Sequence, residues 1–206
     1  REGLYKAKRY LDDIQKAEED EDEALPEYDA KCEALVPLLN GEIEAHFHCH
    51  RADDIQTAIR ISREFHLKCV IIHGTEGYKI ADGLSYYNVP VIAGPILCDR
   101  CKPEMKDLDL KNAGILWKNG VKVALCTDHT VIPIQYLPLS AALAVKGGMP
   151  YNAALRAITS DAAQILGIAD RVGSIAVGLD ADLQLYSGDP LGLDDPCLVM
   201  VKGEII

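Results

Sequence analysis

Four short apolar runs, separated by stretches with helical periodicity, constrain the fold of this chain more than any other feature. In order they read EIEAHFHCH, KCVIIHG, VPVIAGP and VKVALCTD. Between them, apolar residues recur three and four positions apart, as in amphipathic helices, and Asp53 or Asp54 is expected to cap the first helix. Strands that alternate with helices of about 10 to 15 residues indicate βαβ units and a parallel sheet. The sequence therefore predicts an α/β fold from Glu42 onwards.

The segments on either side of these runs have patterns of their own. Residues 1–19 predict an amphipathic helix, the acidic stretch after them predicts a solvated loop, and residues 30–39 predict a second, short helix. After Asp128, three segments rich in Ala and Leu predict further helices. From residue 172 onwards, short β-runs alternate with Gly, Asp and Pro turns, which predicts a small C-terminal β-appendage of about three strands.

The overall composition limits which partners and compartments suit the chain. A length of 206 residues with 49% hydrophobic residues supports one sizeable domain, or one domain with a small appendage. The net charge of −11 disfavours nucleic acid and anionic membranes, because both would repel such a surface, and small molecules or other proteins are expected as partners instead, with a small-molecule substrate in the first place. No apolar run reaches the length of a membrane span, and seven cysteines, an odd number, favour reduced thiols, so we expect a cytoplasmic protein.

Side chains that can bind a metal follow three of the four predicted strands. The stretch AHFHCHRADD places His46, His48 and His50 at alternate positions, which would crowd three imidazoles on one face of a strand. His48 or His50 comes near the carboxyl end of the first run, His73 ends the second, and Asp128 ends the fourth. The carboxyl ends of parallel strands meet at one edge of a sheet, where ligands bind.

Imidazole and carboxylate ligands together suit Zn²⁺ and related divalent ions. Water activated by such an ion is a nucleophile near neutral pH, and Asp128 can accept its proton as a general base. A single histidine at a strand end is more often structural, and an aspartate there is commonly the N-cap of the next helix. Three such residues at one edge are harder to explain in that way, and the pattern favours metal-assisted hydrolysis.

The remaining motifs give weaker signals. Cys98 and Cys101 form a C-x-x-C pair, but a structural zinc site needs a second pair and the sequence has none, so we expect free loop thiols. The HGTEG stretch lacks the spacing of a phosphate-binding loop and is expected to form a turn beside a ligand. His66 should lie on the surface. His129 is expected at most to contact a metal-binding residue, without binding the metal itself.

Several segments together resemble one known family. The resemblance covers nearly everything from Gly41 to Ile206, and it is to the C-terminal half of the amidohydrolase superfamily, specifically its imidazolonepropionase-like branch. The segments that carry it are HCHRADDIQTAIRISREF, VIIHGTEGYKIAD, GVKVALCTD, ALRAITSDAAQILGI and RVGSIAVGLDADLQLYSGDP. The most specific part, VGSIAVGLDADLQL, is similar to the family signature G-x-I-x-x-G-x-D-A-D-L.

The resemblance implies a (β/α)₈ TIM-type barrel with a small β-sandwich built from both chain ends. Residues 1–170 would form a partial barrel containing strands five to eight, and residues 171–206 a portion of the β-sandwich. The resemblance also implies a divalent metal, above all zinc. His48 is favoured as one ligand, with His50 as the alternative because the strand register is open. His73 would be the second ligand in the catalytic site, and Asp128 both a ligand and the base.

The chain also departs from the family pattern. Family members begin with a His-x-His pair on strand one that has no equivalent here, so we expect a fragment with half of the barrel and half of the metal site. Two unpaired strand edges predict either a homo-oligomer or completion by a missing N-terminal half of the same protein.

The predicted function is hydrolysis of an amide-type bond, in a cyclic amide or a short peptide, by the parent enzyme. The bond would be attacked by metal-activated water, and the chain alone is expected to be nearly inactive. The alternative is a catalytically inactive structural or dimerisation module derived from the same scaffold.

Overall fold

The computed structural model describes residues 1–20, 22–192 and 194–206. These residues form two compact units. The first contains Arg1–His46 and Gln56–Cys69, and the second contains Phe47–Ile55 and Val70–Ile206. The division at residue 170 into a partial barrel and a β-sandwich portion stays a prediction.

Three helices open the first unit. α1 (Glu2–Glu19) matches the predicted amphipathic helix, whereas α2 (Ala30–Glu33) and α3 (Val36–Leu39) replace the single helix predicted for residues 30–39. The single helix is wrong because Pro37 has no amide hydrogen to donate within a continuous helix, and its ring clashes with the preceding turn. Proline is tolerated in the first turn of a helix, and it occupies that position in α3.

A four-stranded sheet follows the order of the chain. Its strands, from one edge to the other, are β1 (Ala45–Cys49), β2 (Cys69–His73), β3 (Val91–Ala93) and β4 (Val123–Leu125). β2 pairs with β3, and β3 with β4, in parallel. The predicted α/β fold with a parallel sheet is therefore confirmed.

Helices connect the strands as the apolar periodicity predicts. α4 (Ala52–Glu64) follows β1, and α5 (Ala81–Tyr86) follows β2 after a 3₁₀ turn at Gly77–Ile80. The remaining helices are α6 (Asn112–Lys118), α7 (Leu137–Lys146), α8 (Tyr151–Ala157) and α9 (Ser160–Ile165). Further 3₁₀ turns lie at Pro103–Met105 and Ile134–Tyr136. Within the described ranges, none of the helices combines the length and hydropathy that a membrane crossing needs.

The N-terminus of α4 is capped in a way that local sequence does not reveal. The helix begins at Ala52, so Asp53 and Asp54 lie in its first turn and the prediction of either as the N-cap is wrong. The amide of Ala52 instead donates to Glu76 Oε2 at 2.9 Å. A carboxylate is stabilising there because the helix N-terminus carries partial positive charge. This carboxylate comes from the loop after β2.

Apolar side chains are buried at alternate positions on both faces of the sheet. On one face, Val70 and Ala124 form a buried cluster with Ile165 of α9. At the other set of positions, Ile71, Val91 and Val123 lie side by side in register and are also buried. Burial of both faces explains why these strands read as continuous apolar runs rather than as alternating ones.

A second sheet follows α9. Its strands are β5 (Leu183–Leu185), β6 (Leu198–Val201) and β7 (Glu204–Ile205), all antiparallel. It matches the predicted three-stranded β-appendage. Several of its apolar side chains are exposed, as in a sheet that is not buried on both faces.

Candidate metal centre

Three histidines meet at the carboxyl end of the first two strands. His48 lies in β1, His50 comes directly after it, and His73 is the last residue of β2. One ring nitrogen of each lies within 4.8 Å of those of the other two. The rings of His50 and His73 stack with centroids 4.7 Å apart, and the ring of His48 meets that of His73 edge-on at 4.3 Å. Three imidazoles placed in this way could hold a divalent ion.

The main chain orients the ring of His73. Its Nδ1 lies 2.7 Å from the carbonyl oxygen of Gly94. Because a carbonyl only accepts, Nδ1 carries the hydrogen and Nε2 keeps its lone pair for a ligand. Gly94 is required at this position: its φ is +143°, and an added Cβ would lie 2.1 Å from the carbonyl oxygen of Cys126.

The two ring nitrogens of His50 have different surroundings. Nδ1 lies 2.8 Å from Thr75 Oγ1, whereas Nε2 is buried and has no hydrogen-bond partner among the described residues. A buried polar atom without a partner costs about 1 to 3 kcal/mol, so such an atom in a folded protein calls for a specific explanation. A divalent ion at Nε2 supplies that partner, and the residues present therefore fit a metal.

Burial keeps both of these rings neutral near neutral pH. Burial, reinforced by the nearby His73 and His48, lowers the pKa of His50 to about 4. Burial also lowers the pKa of His73, an effect opposed by the Gly94 carbonyl and by the charge of Asp128. Neutral imidazole is the form that binds a metal, so neither ring must lose a proton before binding.

The structure brings both candidates on the first strand into the cluster. His48 and His50 can both reach it because residues two apart along a strand project towards the same face. His48 is exposed, whereas His50 is buried. The unpartnered Nε2 favours His50 over His48, although the assignment of ligands stays a prediction.

Asp128 lies outside this group of nitrogen atoms. β4 ends at Leu125, so Asp128 is beyond the strand, in the left-handed region with φ +52°. Its side chain is exposed, and its charge is close enough to His73 to raise the pKa of that ring. Its predicted role as ligand and base stays a prediction.

The weaker sequence signals have simple outcomes. Cys98 and Cys101 are free thiols, as predicted. His66 lies on the surface, also as predicted, and His129 is exposed. None of these four residues belongs to the histidine cluster in the described part of the chain.

A cavity of about 190 Å³ opens beside His73. Its lining is polar and apolar in equal measure, and two charged side chains, Arg100 and Asp109, reach it. Its apolar walls include Ala93, Pro95, Ile96, Leu108, Leu110 and Ala113. Concave sites that combine apolar walls with polar groups are where proteins bind small molecules.

The HGTEG stretch organises the cluster to an extent that sequence reasoning missed. The amide of Gly74 donates to the carbonyl of Cys49 at 2.9 Å, and the amide of Glu76 donates to that of His50 at 2.8 Å. Asn112 of α6 donates from Nδ2 to the Gly74 carbonyl at 3.0 Å. These bonds hold the loop after β2 against the end of β1. The only sequence signal was the presence of two polar residues between glycines after an apolar strand.

A comparison with protein-family models decides the family. The model described as the amidohydrolase family matches residues 42–206. The chain belongs to the amidohydrolase family. The resemblance predicted from the sequence motifs is thereby confirmed, and the histidine cluster lies within the matched residues.

Known amidohydrolase relatives extend well beyond this chain. It is 30% identical over 203 residues to the amidohydrolase tasK of Hapsidospora irregularis, a match that covers 88% of this chain and 19% of tasK. It is 35% identical over 85 residues to an imidazolonepropionase of Cupriavidus pinatubonensis, covering 40% of this chain and 20% of that protein. The crystal structure of an amidohydrolase from Thermotoga maritima matches with a TM-score of 0.94 and 40% identity, over 100% of this chain and 54% of that one. The chain thus spans about a fifth of these curated relatives and about half of the crystallised one.

Proposed function

We propose that this chain is part of a metal-dependent hydrolase that cleaves an amide-type bond in a small molecule, such as a cyclic amide or a short peptide. The observation that carries the proposal is the buried Nε2 of His50, which has no hydrogen-bond partner among the described residues. It lies in a cluster with His73. Because Nδ1 of His73 donates to the Gly94 carbonyl, the lone pair of its Nε2 is available to a ligand. Family membership supports hydrolysis as the reaction class.

The proposed ligands are His50 and His73, with His48 as a further imidazole, and zinc is the proposed ion. Such an ion supplies Lewis acidity, which polarises a substrate carbonyl and makes water more acidic. His50 and His73 are suited to hold it because burial keeps both rings neutral. The Gly94 carbonyl holds the ring of His73 in one orientation.

Asp128 is the proposed general base. It would accept a proton from the attacking water and deliver it to the leaving nitrogen. Its exposed carboxylate and its electrostatic effect on His73 support this role. The cavity beside His73 is the proposed binding place for one side of the scissile amide, because it offers both apolar walls and polar groups next to the histidine cluster.

The proposal also concerns the rest of the protein. Because the chain covers 54% of the Thermotoga maritima amidohydrolase and its motifs resemble the C-terminal half of the family, we propose that the four strands of its first sheet are strands five to eight of a (β/α)₈ barrel. An uncovered strand edge exposes backbone N–H and C=O groups that seek partners. An N-terminal half of the same protein, or a second copy of this chain, would cover them. Size-exclusion chromatography with light scattering tests this, and a well-behaved monomer would contradict it.

Metal analysis of the purified chain tests the proposed function. After loading with zinc and desalting, the unmodified chain should retain about one equivalent, because the clustered imidazoles share one ion. His73→Ala should lose it, whereas the control His66→Ala, which changes an exposed histidine outside the cluster, should keep it. Absence of zinc under every loading condition would instead support an inactive structural module built on the same scaffold.

A hydrolysis assay then tests the reaction class. Cyclic amides and short peptides are offered to the chain alone and to the chain combined with the proposed N-terminal half. The completed protein should release the free carboxylate, and the chain alone should be nearly inactive. Zinc binding without any hydrolysis by the completed protein would leave a metal site and overturn the proposed reaction.

A further inference from the structure

The ring of His50 is held differently from that of His73. His73 Nδ1 faces a backbone carbonyl, which can only accept a hydrogen bond. His50 Nδ1 faces the hydroxyl of Thr75 at 2.8 Å, and a hydroxyl can either donate or accept. Geometry alone therefore leaves two arrangements open for His50, and they differ in which ring nitrogen carries the hydrogen.

The surroundings of Nε2 distinguish these two arrangements. If Thr75 donated to Nδ1, the hydrogen of the neutral ring would sit on Nε2, which is buried without an acceptor among the described residues. An unsatisfied buried N–H is unfavourable, and it would also block the lone pair that a metal needs. If Thr75 accepts from Nδ1–H, the Nε2 lone pair is free. A metal at Nε2 then satisfies both ring nitrogens.

Thr75 can direct this choice because its position is fixed. Its side chain is buried, and the residues on either side of it are tied to the end of β1 through the Cys49 and His50 carbonyls. Asn112 holds the Gly74 carbonyl from α6. The hydroxyl is therefore presented to the ring of His50 by a loop that is itself bonded to the backbone of His50.

We infer that Thr75 is a positioning residue: its hydroxyl accepts from His50 Nδ1–H, which fixes the ring in the tautomer whose Nε2 is free to bind a divalent metal. The inference rests on the proposed function only in taking the cluster as a metal site. Hydrogen bonds of this kind behind a metal-binding histidine set the orientation of the ring and its tautomer, and their loss typically costs about 10- to 100-fold in metal affinity.

Two variants separate this role from simple packing. Thr75→Val keeps the shape of the side chain and removes the hydroxyl, whereas Thr75→Ser keeps the hydroxyl and removes a methyl group. Thr159→Val is the matched control, because the hydroxyl of Thr159 donates to the Leu155 carbonyl at 2.8 Å and Thr159 is not in the cluster. All are made in the 206-residue chain.

The first measurement is the tautomer of His50 in the metal-free chain, from long-range ¹H–¹⁵N spectra of histidine-labelled protein. Unmodified chain, Thr75→Ser and Thr159→Val should all carry the hydrogen on Nδ1, and Thr75→Val should lose this preference. A hydrogen on Nε2 in the unmodified chain would overturn the inference, even if Thr75→Val does not fold. This measurement needs no metal and no substrate, so it stands whether or not the proposed function holds.

The second measurement is the dissociation constant for Zn²⁺, by competition with a chelating dye. Thr75→Val should bind about 10- to 100-fold more weakly than the unmodified chain, with Thr75→Ser within about threefold of it. Equal affinities for the unmodified chain and Thr75→Val would overturn the inference and leave the metal site intact. Failure of the unmodified chain to bind zinc would instead count against the proposed function alone, and the tautomer would then decide the role of Thr75.

Discussion

The two sheets of this protein differ in how deeply they are buried. In the parallel sheet, Ile71 and Val91 are 0% exposed and Val123 is 1% exposed, side by side in register. In the antiparallel sheet, Leu185 is 57% exposed and Ile205 is 68% exposed. His48 and His73 lie on strands of the first sheet, and no member of the histidine cluster lies on the second. The metal candidate is thus on the sheet with the more deeply buried strands.

This difference indicates what each sheet contributes. A metal site needs ligands held within a fraction of an ångström, which favours strands whose side chains are locked by packing. The contacts that orient His73 and His50 come from Gly94, directly after β3, and from Thr75, in the loop after β2. The antiparallel sheet has no such requirement, and substitutions there should be tolerated. Paired substitutions in the two sheets test this comparison.

The largest difference is expected between two glycines with positive φ. Gly94→Ala would place a Cβ 2.1 Å from the Cys126 carbonyl oxygen, and because backbone is difficult to displace, the loss should reach about 4 kcal/mol or prevent folding. Gly203→Ala, in the turn between β6 and β7, meets nothing within 4 Å and should cost only the left-handed strain of about 1 to 2 kcal/mol. Urea unfolding measures both. Similar losses would remove the proposed distinction between the two sheets.

The next difference concerns apolar side chains. Ile71→Ala removes a fully buried side chain and should lower the free energy of unfolding by about 2 to 5 kcal/mol. Leu185→Ala truncates a side chain that is 57% exposed, so its effect should stay below about 1 kcal/mol. The measurement is the midpoint of thermal unfolding. A Leu185→Ala loss as large as that of Ile71→Ala would show that the antiparallel sheet is buried in solution.

A smaller effect is expected for carboxylates that accept backbone hydrogen bonds. Glu76 is buried and accepts from the Ala52 amide and from Lys79 Nζ, both at 2.9 Å, so Glu76→Gln should cost about 1 to 3 kcal/mol. Asp182 accepts from the Lys202 amide at 2.8 Å but is exposed, and Asp182→Asn should cost less than about 0.5 kcal/mol. Chemical unfolding at pH 7 compares them. Equal losses of unfolding free energy for the two variants would mean that burial does not determine how much these hydrogen bonds contribute to stability.

The smallest expected effect depends on pH. The Tyr151 hydroxyl and the Leu191 amide donate to Asp189, which lowers the pKa of that exposed carboxyl in the folded state. A depressed pKa adds stability above the ordinary value of about 4, and this stability is lost as the pH falls through the folded-state pKa. Asp189→Asn should therefore have a lower Tm than the unmodified chain at pH 6, and the gap should close at the most acidic pH.

Tyr151→Phe serves as the matched variant for this last prediction. It removes one of the two hydrogen bonds and leaves the carboxyl in place. It should reproduce part of the Tm difference at pH 6 and part of its closure in acid. A Tm gap for Asp189→Asn that stays constant with pH would contradict the assigned cause.

Sequence reasoning predicted the strands and most helices because their signals are local. The apolar runs around Ile71, Val91 and Val123 reflect burial on both faces, which periodicity reports directly. The helix predicted for residues 30–39 is divided because Pro37 opens a new helix, and the cap of α4 was assigned to Asp53 or Asp54 because Glu76 is distant in sequence. The errors thus fall where a single proline or a distant partner overrides the local pattern.

Predictions about the candidate site divide in the same way, into those that local sequence supports and those that depend on partners distant in sequence. The sequence by itself determined the α/β order of the strands, the family, and the presence of imidazoles at the ends of β1 and β2, because these follow from periodicity and from short contiguous motifs. Only the tertiary structure decided which nitrogen of each ring is free. That choice depends on Gly94, 21 residues after His73, and on Thr75, 25 residues after His50. A hydrogen bond depends on distance in space, and the folded sheet brings these partners together.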